Sequence, residues 1–114
     1  GLYGEALAED RRRYAGDREV QEALERGHAE AGFRGAMRRA AETLSARSRQ
    51  TYVSPMEISR LYMAGGESDH AIQWLEKAFD VREPNLPYLD SPEYDGLRSD
   101  ARFQDLRRRI KLPS

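Results

Sequence analysis

Apolar residues recur along this chain at steps of three and four, the spacing of one face of an α-helix. Tyr3, Leu7 and Tyr14 mark such a face on a first helix, which spans roughly residues 2–15. Ala15-Gly16-Asp17 ends it, and Asp17 is placed to cap the next helix. Val20, Leu24, His28 and Ala31 continue at helical steps up to Gly32. Phe33, Met37, Ala40, Ala41 and Leu44 then form the stripe of a third helix, which runs to about Arg49. Val and Ile are few and nowhere alternate with polar residues over a useful length, so no strand is expected.

The clearest start signal is Ser54-Pro55-Met56-Glu57. Ser54 is a natural N-cap, and Pro55 lacks an N–H that the first helical position would leave orphaned. Glu57 is spaced to reach back and close a capping box. Ile58, Leu61 and Tyr62 supply the inner face of this fourth helix, and Gly65 or Gly66 supplies its left-handed end. Ser68 or Asp69 restarts a fifth helix with an inner face of Ala71, Ile72, Trp74, Leu75, Ala78 and Phe79, ending before Pro84. Residues 85–99 hold further prolines and read as an ordered connector with one short turn at Ser91-Pro92-Glu93. A last helix opens at Asp100, with Phe103, Leu106 and Ile110 on one face and Arg107 to Arg109 in its final turn, where cations suit the helix dipole.

The chain repeats itself. An offset of 34 places Leu24 on Ile58, Glu25 on Ser59, His28 on Tyr62 and Gly32 on Gly66. It also places Met37 on Ala71, Ala41 on Leu75 and Leu44 on Ala78, with no gap. The same shift carries Leu7 onto Ala41, so the opening helix reads as the second half of an earlier unit. A third full copy fails, because Tyr62 lands on Gly96 and Leu75 on Arg109.

A 34-residue helix–turn–helix unit of this kind resembles the tetratricopeptide repeat. Ile58, Ser59, Tyr62, Gly66, Ala71, Leu75 and Ala78 carry the family's pattern, with Pro84 one position late. In residues 18–51 Glu25 stands for a small residue, His28 for an aromatic and Met37 for an alanine. Tyr52-Val53-Ser54-Pro55, the run from Asp69 to Phe79 and the run from Leu97 to Leu106 also resemble the C-terminal helical region behind DNA-binding or kinase domains in some bacterial signalling proteins. The resemblance implies an all-α fold, a right-handed stack of antiparallel helix hairpins closed by a C-terminal capping helix. The single domain divides into the second helix of a partial repeat (1–17), a degenerate repeat (18–51), a well-matched repeat (52–85), and a connector with capping helix (86–114). The first helix then lacks a partner, to be completed by further sequence or by a second copy of the chain.

Such arrays line a concave surface with their leading helices. The family's inward positions fall here on Glu19, Glu22, Arg26 and Ala29 in one repeat, and on Val53, Met56, Arg60 and Met63 in the next. Arg26 and Arg60 are equivalent under the shift, so the resemblance points both into one groove. Two guanidiniums there would hold a carboxylate or an acidic peptide, over an adaptable floor of methionine. The plain alternative is two solvated arginines paired with nearby glutamates.

Composition narrows the choice further. In 114 residues, 39% hydrophobic and 34% charged content suits one domain with a thin core. A net charge of −1 argues against a general nucleic-acid binder. The arginine runs at Arg11 to Arg13, Arg38-Arg39 and Arg107 to Arg109 carry interspersed acids and no interleaved aromatics, and read as solvated helix faces. No apolar run approaches the about 20 residues that span a bilayer. The absence of cysteine excludes disulfides and thiolate metal sites, and fits a cytoplasmic protein. A chain opening on Gly1 reads as a segment of something longer.

His28 and His70 have no ligands at fixed spacing and read as structural, so no metal or other cofactor is expected. Gly65-Gly66 lacks the lysine of a phosphate loop, and no serine stands in a nucleophile elbow, so an enzyme is not expected. The apolar connector Leu86-Pro87-Tyr88-Leu89 is expected to pack under the final helix. The function expected is a non-catalytic protein-interaction module binding a peptide or partner domain in the groove. The alternative is a structural homodimerisation unit with no peptide ligand, paired through the incomplete first helix.

Overall fold

The computed structural model describes residues 2–82 and 92–110. Among those residues the chain is all-α, without a strand. The order is α1 (Leu2–Arg13), α2 (Arg18–Arg47), α3 (Pro55–Ala64), α4 (Ser68–Asp80), a 3-10 helix (Pro92–Leu97) and α5 (Ala101–Ile110). No described helix is long and apolar enough to cross a membrane. The Leu86–Leu89 connector lies outside the described residues.

The 30 residues of α2 are not a straight rod. Ala31 takes φ −152° with ψ 28°, and Gly32 takes φ 65° with ψ −149°, so the chain reverses where the glycine stop predicts. A straight helix of that length would hold its ends about 45 Å apart. Instead Arg47 in the last turn donates to the Asp17 carboxylate at 2.6 and 2.9 Å and to Glu19 at 2.8 Å. Asp17 also caps the first turn, accepting from the Val20 N–H at 3.2 Å.

The two arms of α2, 18–30 and 33–47, touch backbone to backbone at Gly27 and Gly35. A Cβ built on Gly27 would lie 2.1 Å from the Gly35 carbonyl oxygen, and one on Gly35 would lie 2.2 Å from that of Gly27. Glycine at both positions is what allows this approach. It also shifts the buried stripe. Val20, Leu24 and Gly27 are buried, whereas His28 and Ala31, which the spacing assigns to the same face, are exposed. With the backbones in contact at Gly27, this residue and not His28 faces the opposite arm.

Ser54 caps α3 as expected, its Oγ accepting from the Glu57 N–H at 3.4 Å. The Glu57 carboxylate turns elsewhere, toward Arg60, Arg13 and Tyr14. Gly66, with φ 80°, is the left-handed residue between α3 and α4. Gly65 keeps a right-handed conformation and is buried, and a Cβ there would come within 3.1 Å of the Arg38 N atom. α3 and α4 pack together where Ser59, fully buried, donates to the Ala71 carbonyl at 2.8 Å. The small serine keeps the helices close while satisfying its own hydroxyl.

Two apolar clusters share α3 and α4. The first joins Leu7 of α1, Val20 and Leu24, the Ala36–Leu44 stripe, and Ile58, Leu61 and Tyr62. The second joins Met56, Ile72, Leu75 and Ala78 to Tyr94, Leu97, Phe103 and Leu106. Phe103, Leu106 and Leu97 are at most 1% exposed, so the 3-10 helix and α5 belong to the core rather than trailing from it. Asp100 caps α5, accepting from the Arg102 N–H at 2.8 Å.

Candidate interaction site

α1 and the turn residue that follows it present residues 3, 7, 10 and 14 to the rest of the chain, the three-and-four spacing of one helical face. Tyr3 stacks on Phe33 with ring centroids 5.0 Å apart, and Leu7 enters the first core cluster at 4% exposure. Asp10 is equally buried, and its Oδ1 accepts from the Arg60 guanidinium at 2.9 Å. Tyr14 donates its hydroxyl to Glu57 Oε1. At the other edge of α1, Arg11 reaches Glu25 at 2.8 Å and its carbonyl accepts from Gln21 at 2.6 Å. The opening helix, for which the repeat pattern supplies no partner, is therefore seated on α2 and α3 of its own chain.

Arg60 is the hub. It spans Asp10 at 2.9 Å and Glu57 at 2.6 Å, with 21% of its side chain exposed against 5% for Asp10 and 24% for Glu57. Burial works against its charge, but the Glu57 and Asp10 carboxylates outweigh that and keep it firmly protonated. Burial also pushes against ionisation of Glu57, yet hydrogen bonds and charge from Arg60, helped by the Tyr14 hydroxyl and by Arg13, hold its carboxyl below the usual glutamate value. Tyr14 moves the opposite way. Burial, then the Glu57 hydrogen bond and charge, raise its hydroxyl well above the ordinary value and keep it a neutral donor. The result is one shared anion–cation–anion–hydroxyl array linking α1 to α3.

Beside this array lies an open cleft of about 360 Å³ lined by Ala6, Glu9, Asp10, Arg13, Phe33, Met37, Arg60, Met63 and Ala64. One wall is apolar and belongs to α2 and α3. The other is the charged flank of α1. The cleft contains two of the residues that the groove pattern selects, Arg60 and Met63.

The remaining groove residues are dispersed. Glu19, Glu22 and Arg26 line a separate polar cleft of about 410 Å³ with Arg39, Glu42 and Thr43, and Ala29 is simply exposed. Val53 lines an apolar cleft with Tyr52, Pro55 and Trp74. Met56 is in the second core cluster at 8% exposure, covered by the 3-10 helix and α5. Arg26 and Arg60 thus line different clefts. The physical reason is that α3 is enclosed on both flanks, by α1 at Glu57 and Arg60 and by residues 92–110 at Met56 and Ser59.

Asp10, Tyr14 and Glu57 are the site residues that groove reasoning passes over. A signal for Asp10 exists, since it falls on the same helical face as Leu7 and Tyr14, and a carboxylate on an apolar stripe requires a partner. Of the histidines, His70 stacks on Tyr62 at 4.9 Å between ring centroids while His28 faces solvent, and no group of acids and histidines among the described residues could hold a metal ion. The arginine runs are largely matched: Arg39 with Glu30 at 2.8 Å, Arg109 with Glu76 at 2.7 Å, Arg11 with Glu25. Comparison of the chain with protein-family models, with curated proteins and with solved structures gives no match.

Proposed function

We propose that this chain is a non-catalytic protein-interaction module whose α3 face recognises an amphipathic helix carrying a carboxylate and, four residues later, a tyrosine. One observation carries the reading. The Asp10 carboxylate and the Tyr14 hydroxyl of a docked helix meet Arg60 and Glu57 in a half-buried array. An arginine held by Glu57 on its own helix reads a second carboxylate, that of the docked helix, by charge and direction, and buried polar pairs reject helices that lack the matching acid. Met63, Phe33 and Met37 supply the adaptable apolar wall beside it.

Within this reading the α2 hairpin and the α3–α4 hairpin are successive units of a right-handed, tetratricopeptide-like stack, and α5 is its capping helix. The turns at Gly32 and Gly66, one repeat length apart, support that assignment. The module is cytoplasmic and forms part of a larger bacterial signalling or regulatory protein, a reading supported by the resemblance of residues 52–55, 69–79 and 97–106 to such regions. The pairing of most arginines in the clusters with acids of the same surface supports a protein partner over a nucleic acid.

Panning a displayed library of amphipathic helices against the domain tests the recognition rule. Enrichment of an acidic residue four positions before an aromatic, lost on Arg60→Glu, is the expected result. Selection of helices without that pair, or binding indifferent to Arg60→Glu, would sink the reading.

A further inference from the structure

The helix that occupies the α3 seat is α1. We propose that the seat also receives α1 from a second copy of this chain, so that two copies exchange their first helices and form a reciprocal dimer. The inference rests on the α3 face being a helix seat, and it names one partner for it.

Three features carry it. First, the contacts that seat α1 on Phe33, the core and α3 are made by side chains that an identical helix brings unchanged. Tyr3 on Phe33, Leu7 in the core, Asp10 on Arg60 and Tyr14 on Glu57 are all reproduced when the helix comes from another copy. Exchange therefore preserves the interface and costs only the freedom lost on association.

Second, the joint is a short turn outside the core. Ala15 and Gly16 between the helices are exposed, and a Cβ built on Gly16 meets nothing within 4 Å. Immediately after them Asp17 is fixed by Arg47 and by its cap on Val20. Opening the link breaks the turn bonds of the Ala15 N–H to the Arg12 carbonyl at 3.2 Å and of the Asp17 N–H to the Tyr14 carbonyl at 2.9 Å, and leaves the cap and the Arg47 pair of α2 intact.

Third, α1 does not fill its seat. The cleft of about 360 Å³ runs along the boundary between α1 and the Phe33, Met37 and Met63 wall. A helix bounded by open space is held by fewer dispersion contacts than a fully packed one. The buried Asp10–Arg60 pair then sets which helix is accepted rather than how tightly the chain is closed.

Charge reversal separates exchange from closure within one chain. Asp10→Arg and Arg60→Asp chains each oppose like charges when closed alone. Mixed, they pair correctly only by exchange, because Asp10 of one then meets Arg60 of the other, and the reversed pair forms at the second seat. Sedimentation of the mixture at tens of micromolar is expected to show at least about tenfold more dimer than either variant alone. The double variant Asp10→Arg with Arg60→Asp restores a complementary pair within one chain and is expected to fold and to associate as the native chain does. A mixture that stays monomeric while the double variant folds overturns the proposal.

If the reversed charges prevent folding, the native pair can be kept. The chain has no cysteine, so Ala6→Cys and Met63→Cys chains, which line one cleft, are mixed with a short bismaleimide. Mass spectrometry is expected to find a covalent dimer containing one of each. Its absence overturns the exchange. Helices selected on the displayed library would in that case still define the seat, so failure of the dimer and failure of the recognition reading are distinguishable.

Discussion

The carboxylate of Asp10 and the guanidinium of Arg60, 50 residues apart in sequence, meet at 2.9 Å inside the boundary between α1 and α3. Removing one member of a buried pair leaves the other desolvated, which typically costs about 3–5 kcal/mol. Arg60 retains Glu57, so Asp10→Ala is expected at the low end, about 3 kcal/mol, read from urea unfolding. Replacing the whole array, as Asp10→Leu with Glu57→Gln and Arg60→Met, is expected to be near neutral, because no buried charge is then left without its partner. A loss below about 1 kcal/mol for Asp10→Ala would place the pair among ordinary solvated contacts.

Acid should loosen the same array. Glu57 and Asp17 both have folded-state pKa values below their ordinary ones. Glu57 is lowered despite its burial, because Arg60 hydrogen bonds and charge prevail, and Asp17 chiefly because Arg47 hydrogen-bonds to it. A depressed carboxyl stabilises the fold above its unfolded value and loses that contribution as pH falls through the folded one. The urea midpoint should therefore drop as pH falls below about 4.5. Glu57→Gln should lower the midpoint at neutral pH, and its deficit should shrink in acid. Parallel curves for the two proteins across that range would remove Glu57 as a source of the acid sensitivity.

The hairpin of α2 depends on single atoms. Gly27→Ala or Gly35→Ala places a Cβ against backbone that cannot yield as a side chain would, so the arms must separate. Overpacking of this kind costs about 1–3 kcal/mol, and backbone contact favours the upper part of that range. Gly4→Ala is the control. It lies in α1 with nothing within 4 Å of the added methyl, and should stabilise by about 0.5–1 kcal/mol through helix propensity. Thermal melts that rank the three substitutions otherwise would contradict the Gly27–Gly35 contact.

Phe103 tests whether the C-terminal segment belongs to the core. It is fully buried and stacks near Tyr94, with ring centroids 6.2 Å apart. Phe103→Ala should cost about 3–5 kcal/mol. The exposed neighbour substitution Gln104→Ala removes a bond to the Arg98 carbonyl and should cost far less. Equal small effects at both positions would show that α5 is dispensable.

Much of this architecture is readable from periodicity. Leu24, Met37, Ile58, Leu61, Leu75, Phe103 and Leu106 all fall on buried faces as spaced, and Gly32 and Gly66 turn the chain where predicted. What periodicity does not encode is which faces meet. The docking of α1 on α3 joins segments over 40 residues apart, and Asp10 on its apolar stripe signals the need for a partner without indicating that Arg60 supplies it. Met56 is buried under residues 92–110, a stretch opening on a 3-10 helix with no long pattern of its own. The Glu57 carboxylate has the spacing to cap a helix, but Arg60 one turn later offers it a full opposite charge, which outcompetes a neutral backbone N–H.

Asp17 does two jobs with one carboxylate, capping the start of α2 and gripping Arg47 from its end. Fraying that begins at the first helix therefore meets a firebreak at residue 17. Loss of α1 need not propagate along the backbone, so the arm can be lent out while the house behind it stays closed.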